Sequence, residues 1–149
     1  MNIFSAMKIS ASGLSAERLR MDVISANVAN ANSTRSVAGT PYKRQVAMIE
    51  AVAANSSDFY KHLEKSQKSQ QVVGGVRVKS IVEDESPLKR VYDPKHPDAK
   101  GDGYVEYPNV DVMKEMVELI TASRAYEANA TVLNTSKNMV LKTLEIGRG

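Results

Sequence analysis

Few residues in this chain have the types and spacing that chemistry needs. The two histidines, His62 and His96, sit in separate polar stretches with no second ligand at metal-site spacing. His96 lies between Pro94 and Pro97 with Asp93, Asp98 and Asp102 around it, which makes a metal site worth testing. The order of those acids does not follow the calcium-loop pattern D-x-[DN]-x-[DN]-G, and the crowding of Pro and Gly reads as a solvated turn. Ser5-Ala6-Met7-Lys8 has the S-x-x-K spacing of serine acyl enzymes, but the companion Ser-Asp-Asn and Lys-Thr-Gly elements are missing. Gly74-Gly75 and Gly101-Asp102-Gly103 are too sparse to cradle a phosphate. The absence of cysteine removes thiolate nucleophiles, disulfides and Cys-ligated metal together. No catalytic residue, cofactor-binding residue or metal ligand is expected. The chain does not read as an enzyme.

Composition narrows the rest. A length of 149 residues allows one compact domain, or a small domain with an extended arm. The formal net charge is +3, with bases and acids interspersed, so no nucleic-acid partner is expected. No apolar run approaches the length of a membrane span. The start, MNIFSAMKIS, lacks a basic n-region followed by an apolar h-region, so no cleaved secretory signal is expected.

The elements that organise the chain lie at its ends. From Val112, alternating steps of four and three reach Met116, Leu119, Ser123, Tyr126, Ala130, Leu133, Lys137, Val140 and Leu144. All but Ser123 and Lys137 are apolar or aromatic, the seam of a coiled coil. Asp111 is placed to cap this helix, Glu115 suits its positive end, and Gly147 stops it. Thirty-odd helical residues run roughly 50 Å. A helix that long needs a partner. Phe4, Met7, Ala11, Leu14, Met21, Ile24 and Val28 form a matching stripe near the N-terminus, which Gly13 and Arg18 interrupt. The fold expected is mainly α with a small β-rich insert, its long N- and C-terminal helices paired as a coiled coil. The helical core takes residues 1–32 and 109–147, and an extended loop with the insert takes 33–108.

Between the helices the signals are local. Asn27 and Asn30 lie three apart near the end of the first helix and face one side, as either a helix end or amides that fix register. Gln45 to Ala54 is a short apolar run with strand or helix character, and Asn55 to Gln71 is polar and reads as a linker. Val72 to Val82 is the clearest strand, with shorter ones at Lys89 to Tyr92 and Tyr104 to Tyr107.

Three stretches together resemble the bacterial flagellar rod proteins, over essentially the whole chain. SANVANANSTR (Ser25 to Arg35), followed by Tyr42-Lys43, is similar to the S-x-N-x-A-N signature of flagellar axial proteins. Extra residues between Ser33 and Pro41 resemble the proximal-rod branch, as does YDPKHPDAKGDGYVEYPNVD (Tyr92 to Asp111). EMVELITASRAYEANATVLNTSKNM (Glu115 to Met139) resembles the terminal-helix signature. The resemblance implies a structural subunit packed by its terminal helices into a helical tube that crosses the periplasm, transmits torque and encloses an export channel. It implies export by the type III apparatus with an uncleaved N-terminus. Its implied partners are other proximal and distal rod proteins, copies of itself, the MS-ring and the export apparatus. The residues expected to pack subunits are Met7, Leu14, Met21, Asn27, Asn30, Met116, Leu119, Tyr126, Asn129, Leu133 and Val140. A soluble helical adaptor that binds a partner helix, and an enzyme with a site among Asp93, His96, Asp98 and Asp102, are the competing readings.

Overall fold

The computed structural model describes residues 3–36, 39–53 and 73–147. Two long helices bracket four strands: α1 (Ile3–Ala29), β1 (Gln45–Ala53), β2 (Val73–Glu83), β3 (Lys89–Tyr92), β4 (Tyr104–Tyr107) and α2 (Val112–Ile146). The chain is mainly α with a β-rich insert, as the residue pattern implies. Gln45 to Ala53 settles as strand, and the expected linker Asn55 to Gln71 lies outside the described residues.

Local chemistry sets the helix ends. α1 gives way where the asparagines begin. The Asn30 side chain donates to the Ala26 carbonyl at 2.9 Å, and the backbone turns through Ser33 N–H to Asn30 C=O at 3.0 Å. α2 starts on the expected cap: Asp111 Oδ1 accepts from the amides of Met113 at 3.0 Å and Lys114 at 3.4 Å. Gly147 follows its last turn.

The strands form two separate two-stranded sheets, β1 with β2 and β3 with β4. β3 and β4 are antiparallel, with Lys89 opposite Tyr107 and Tyr92 opposite Tyr104. All four β3 residues are exposed, whereas Val105 on β4 is fully buried. Burial on this ribbon is therefore confined to β4.

By its contacts the chain divides into two compact units. The first gathers residues 1–18, 49–79 and 124–149, and the second 19–48 and 80–123. In the first, β2 meets α1 closely. Gly75 is buried at φ +128°, and a Cβ there would overlap the Ser12 hydroxyl. That hydroxyl accepts the Val76 amide at 3.1 Å and donates to the Ile9 carbonyl at 2.6 Å. In the second unit the core is formed by Val23, Ile24, Ala31, Val105 and Ala122, with Pro108.

Burial on the helices runs along a narrower, smaller-residue line than the apolar pattern implies. On α2 the buried positions are Glu115, Ala122 and Ser136, and Asn129 completes their seven-residue spacing. Leu119, Tyr126, Leu133 and Val140, from the expected seam, are half-buried beside that line. Met116 and Lys137, expected inward, are exposed. On α1 the buried line is Ser10, Gly13, Ala16, Val23, Ile24 and Asn27. Small side chains allow backbones to approach closely, so the most apolar stripe is not the most buried one.

Candidate functional site

The second unit is tied together by a polar cluster centred on Asn27. Near the end of α1 its side chain has 0% exposure, and all its hydrogen-bonding capacity is used. Nδ2 donates to the Gln45 carbonyl at 2.8 Å and to Glu115 Oε2 at 2.9 Å. Oδ1 accepts from the Tyr42 hydroxyl and from the Gln45 amide, each at 2.9 Å. One amide thus fixes the first turn of α2, the start of β1 and the segment before it against α1.

Glu115 is the charged counterpart, also at 0% exposure. Its other oxygen, Oε1, accepts from Arg44 Nε at 2.7 Å. Arg44 then reaches Glu118 Oε1 at 3.2 Å and lies 3.6 Å from Asp84 Oδ2. Its backbone amide donates to Asn109 Oδ1 at 2.8 Å, and Asn109 Nδ2 donates to the carbonyls of Asp84 and Ser86, each at 3.1 Å. A buried carboxylate is tolerable only when paired and hydrogen-bonded, and both conditions are met here.

The electrostatics follow this geometry. Burial lowers the Arg44 pKa, but the hydrogen bond and charge of Glu115, with Glu118 and Asp84, more than offset it and raise the pKa overall. Burial, then the charges of Glu115 and Glu83, push the Tyr42 phenol above its ordinary value of 10.0. The hydroxyl and amide of Ser86, more than Arg44, hold the Asp84 carboxyl below its ordinary 3.8. Tyr42 therefore stays a neutral donor to Asn27 at physiological pH.

The acids around His96 do loop work. Asp98 accepts from the Thr34 hydroxyl at 2.8 Å, and His96 Nδ1 accepts the Asp98 amide at 3.1 Å. Asp102 pairs with Arg90 at 2.6 Å, and Asp93 accepts the Lys95 amide at 3.2 Å. Among the described residues no three His, Asp or Glu side chains are gathered as metal ligands. No described helix is long and apolar enough to cross a membrane.

The residues expected to pack subunits fall into two groups. Asn27 is committed inside the second unit; Asn30 donates to its own helix and accepts from the Ser33 hydroxyl at 3.3 Å. Asn129 donates back to Ala125 at 2.9 Å and lies against Gly13, where a Cβ would sit 3.0 Å from its Nδ2. Met7, Leu14, Met21, Leu119, Tyr126, Leu133 and Val140 are half-buried, and Met116 is exposed. Beside Met116, Met113, Val117 and Ile120 also stand more than half exposed, Met113 at 72%. Sequence reasoning missed Arg44 and Glu115 as partners. The available signals were an arginine directly after Tyr42-Lys43 and an acid at the head of a helical line of small residues, Ala122, Asn129 and Ser136.

The cluster therefore joins the stretch around Asn27 to the segment that opens α2. Two family descriptions fall on the same ends: "Flagella basal body rod protein" matches residues 7–35, and "Flagellar basal body rod FlgEFG protein C-terminal" matches residues 102–146. Over the whole length, the chain is 47% identical to the flagellar basal-body rod protein FlgC of Borreliella burgdorferi, covering 100% of both chains. It is 43% identical to FlgC of Bacillus subtilis, covering 99% of this chain and 100% of the relative. It is 41% identical to FlgC of Salmonella typhimurium, covering 99% and 98%. The chain belongs to the FlgC family of flagellar basal-body rod proteins. That family is structural and not enzymatic. Within the family's frame, the Asn27–Arg44–Glu115 cluster is architecture: it sets how the chain's own ends meet.

Proposed function

We propose that this protein is a structural subunit of the proximal flagellar rod, assembling by packing of its terminal helices into a periplasm-crossing tube that transmits torque and encloses the export channel. The observation that carries the proposal is the apolar face of α2 left in water. Met113, Met116, Val117 and Ile120 recur at helical spacing and remain at least half exposed, a contiguous patch of the kind that marks an interaction surface. In this reading residues 1–32 and 109–147 form the helical core of the assembly, and 33–108 lie outside it.

Two contacts support pairing of α1 with α2 as an antiparallel coiled coil. Gly13 meets Asn129, and Asn27 meets Glu115. From Gly13 to Asn27 is two heptads forward on α1, and from Asn129 to Glu115 is two heptads back on α2. Each contact, within its own unit, fits an antiparallel pairing of the two helices. Met7, Leu14, Met21, Met116, Leu119, Tyr126, Leu133 and Val140 then flank the small-residue seam and pack neighbouring subunits, while Asn27, Asn30 and Asn129 fix register. The partners are copies of the chain, other proximal and distal rod proteins, the MS-ring and the type III export apparatus that carries it out with an uncleaved N-terminus.

The test combines circular dichroism and sedimentation of the purified chain, alone and with other rod proteins, with fractionation of basal bodies. Gain of helix on co-assembly and recovery of the chain in rod fractions are expected. A stable closed dimer absent from basal bodies would overturn the proposal in favour of a helical adaptor.

A further inference from the structure

The protein has no cysteine, so its most oxidisable sulfurs are methionine thioethers. Two of them stand together in the second unit. Met113 is 72% exposed and Met116 50%, one helical turn apart at the head of α2. Their helical neighbours Val112, Val117, Leu119 and Ile120 are all apolar, and no side chain among them can donate a hydrogen bond. The packing of this stretch is carried instead by Glu115 and Ala122, both at 0% exposure. Neither thioether is needed to hold the unit together.

Met139, farther along α2, is similarly open at 56%. Its neighbours at three and four residues are Thr135, Ser136, Lys142 and Thr143, so it belongs to no apolar face. Similar exposure in opposite surroundings makes it an internal control.

We propose that Met113 and Met116 form a reversible oxidation site, at which hydrogen peroxide turns the apolar face of α2 polar and keeps it from being covered. A sulfur lone pair attacks one peroxide oxygen; the S–O bond forms, the O–O bond breaks, and water leaves. Each thioether gives up two electrons, each peroxide takes two, and no proton is left over. Thiol-dependent sulfoxide reductases restore the thioether. In the free chain the sulfoxide oxygens are hydrated, so the fold bears no cost. Once the face is covered, each oxygen needs a donor that the surrounding valines, leucine and isoleucine do not offer. Oxidation is therefore silent in the subunit and expressed on association. This inference rests on the rod-subunit reading for the partner that covers the face, and not for the chemistry at sulfur.

The test treats the purified full chain with hydrogen peroxide and maps sulfoxides by peptide mass spectrometry. Met113 and Met116 are expected to oxidise alongside Met139 and ahead of the half-buried Met7 and Met21. The thermal midpoint is expected to stay in place. Co-sedimentation with other rod proteins is expected to weaken about tenfold, and to recover after sulfoxide reductase with dithiothreitol. The same comparison before and after peroxide is then made on two variants. Met113→Leu with Met116→Leu should show no peroxide-dependent loss, and Met139→Leu should show the full loss. Met113 and Met116 staying reduced while Met139 oxidises, association surviving their oxidation, or a loss that Met139→Leu abolishes overturns the proposal and leaves the rod reading intact. Failure of the unoxidised chain to bind rod proteins or enter basal bodies overturns the rod reading and the effect on association, while the mass spectrum still decides the oxidation site.

Discussion

The two compact units hold themselves together by opposite means. The second relies on buried polarity: Asn27 satisfied on four sides, and Glu115 paired with Arg44. The first relies on close approach, with Gly75 against Ser12 and Gly13 against Asn129. Buried polarity fixes geometry because each lost partner leaves an unpaired group in a dry place. Close approach fixes geometry because there is no room for another atom. The first region should therefore fail when something is added, and the second when something is removed.

The largest expected effect comes from removal. Arg44→Leu strands the Glu115 carboxylate, and breaking one side of a buried pair costs about 3–5 kcal/mol. Urea denaturation of the full chain should show that loss. Adding Glu115→Gln should recover part of it, because the buried charge disappears while Asn27 keeps an acceptor. If Arg44→Leu alone costs under about 1 kcal/mol, the cluster is not what holds the second unit.

Addition should break the first unit by somewhat less. Gly75→Ala places a methyl on the Ser12 hydroxyl at a φ of +128°, and strain of this kind costs about 1–3 kcal/mol. Gly13→Ala is a milder form. Its Cβ would lie 3.0 Å from Asn129 Nδ2, which is itself tied to Ala125, but the helix gains about 1 kcal/mol from losing a glycine. The two variants, compared by thermal melts, should separate clearly, with Gly75→Ala the lower.

How much of this was legible depended on the physics involved. Both helices and the strands β2, β3 and β4 follow from periodicity and punctuation, because apolar spacing, Asp111 and Gly147 act locally, whereas the run that became β1 reads equally as strand or helix. The buried line on α2 did not. Patterning ranks Met116 above Glu115, yet only a small or well-paired side chain tolerates the closest approach, and the pairing depends on Arg44, 71 residues away. Gly13 reads as an interruption until Asn129 occupies the space its missing side chain leaves. Asn27 stands out in the sequence as an amide on a helical face, but its partners, the chain's own Tyr42, Gln45 and Glu115, are distant in the sequence and carry no local signal.

A finer test of the polar side is Tyr42→Phe, which deletes one donor to Asn27 Oδ1 and should cost about 1 kcal/mol at neutral pH. It also carries a pH signature. The folded pKa lies above 10.0, so below 10 both states hold the proton and the contribution is complete. As pH rises past 10 the unfolded phenol ionises first, and stability declines until the folded value is passed. The variant should lack that component of the alkaline decline. An unchanged alkaline limb would mean that the Tyr42 hydroxyl is not shielded as the cluster requires.

The smallest effect should come from the rim. Asp84 is held below its ordinary 3.8 by two bonds from Ser86, with Arg44 secondary. A lowered carboxylate contributes stability above its unfolded pKa and loses it as pH falls through the lower folded value. Asp84→Asn should therefore flatten the acid limb just below pH 4 and leave Arg44 attached to Glu115. Ser86→Ala should flatten the same limb more than any change at Arg44 that preserves the Glu115 bond, because Ser86 is the principal cause of the shift. If the reverse order is found, Asp84 belongs to the buried cluster, and the boundary between polarity that fixes the unit and polarity that decorates it lies one residue further out.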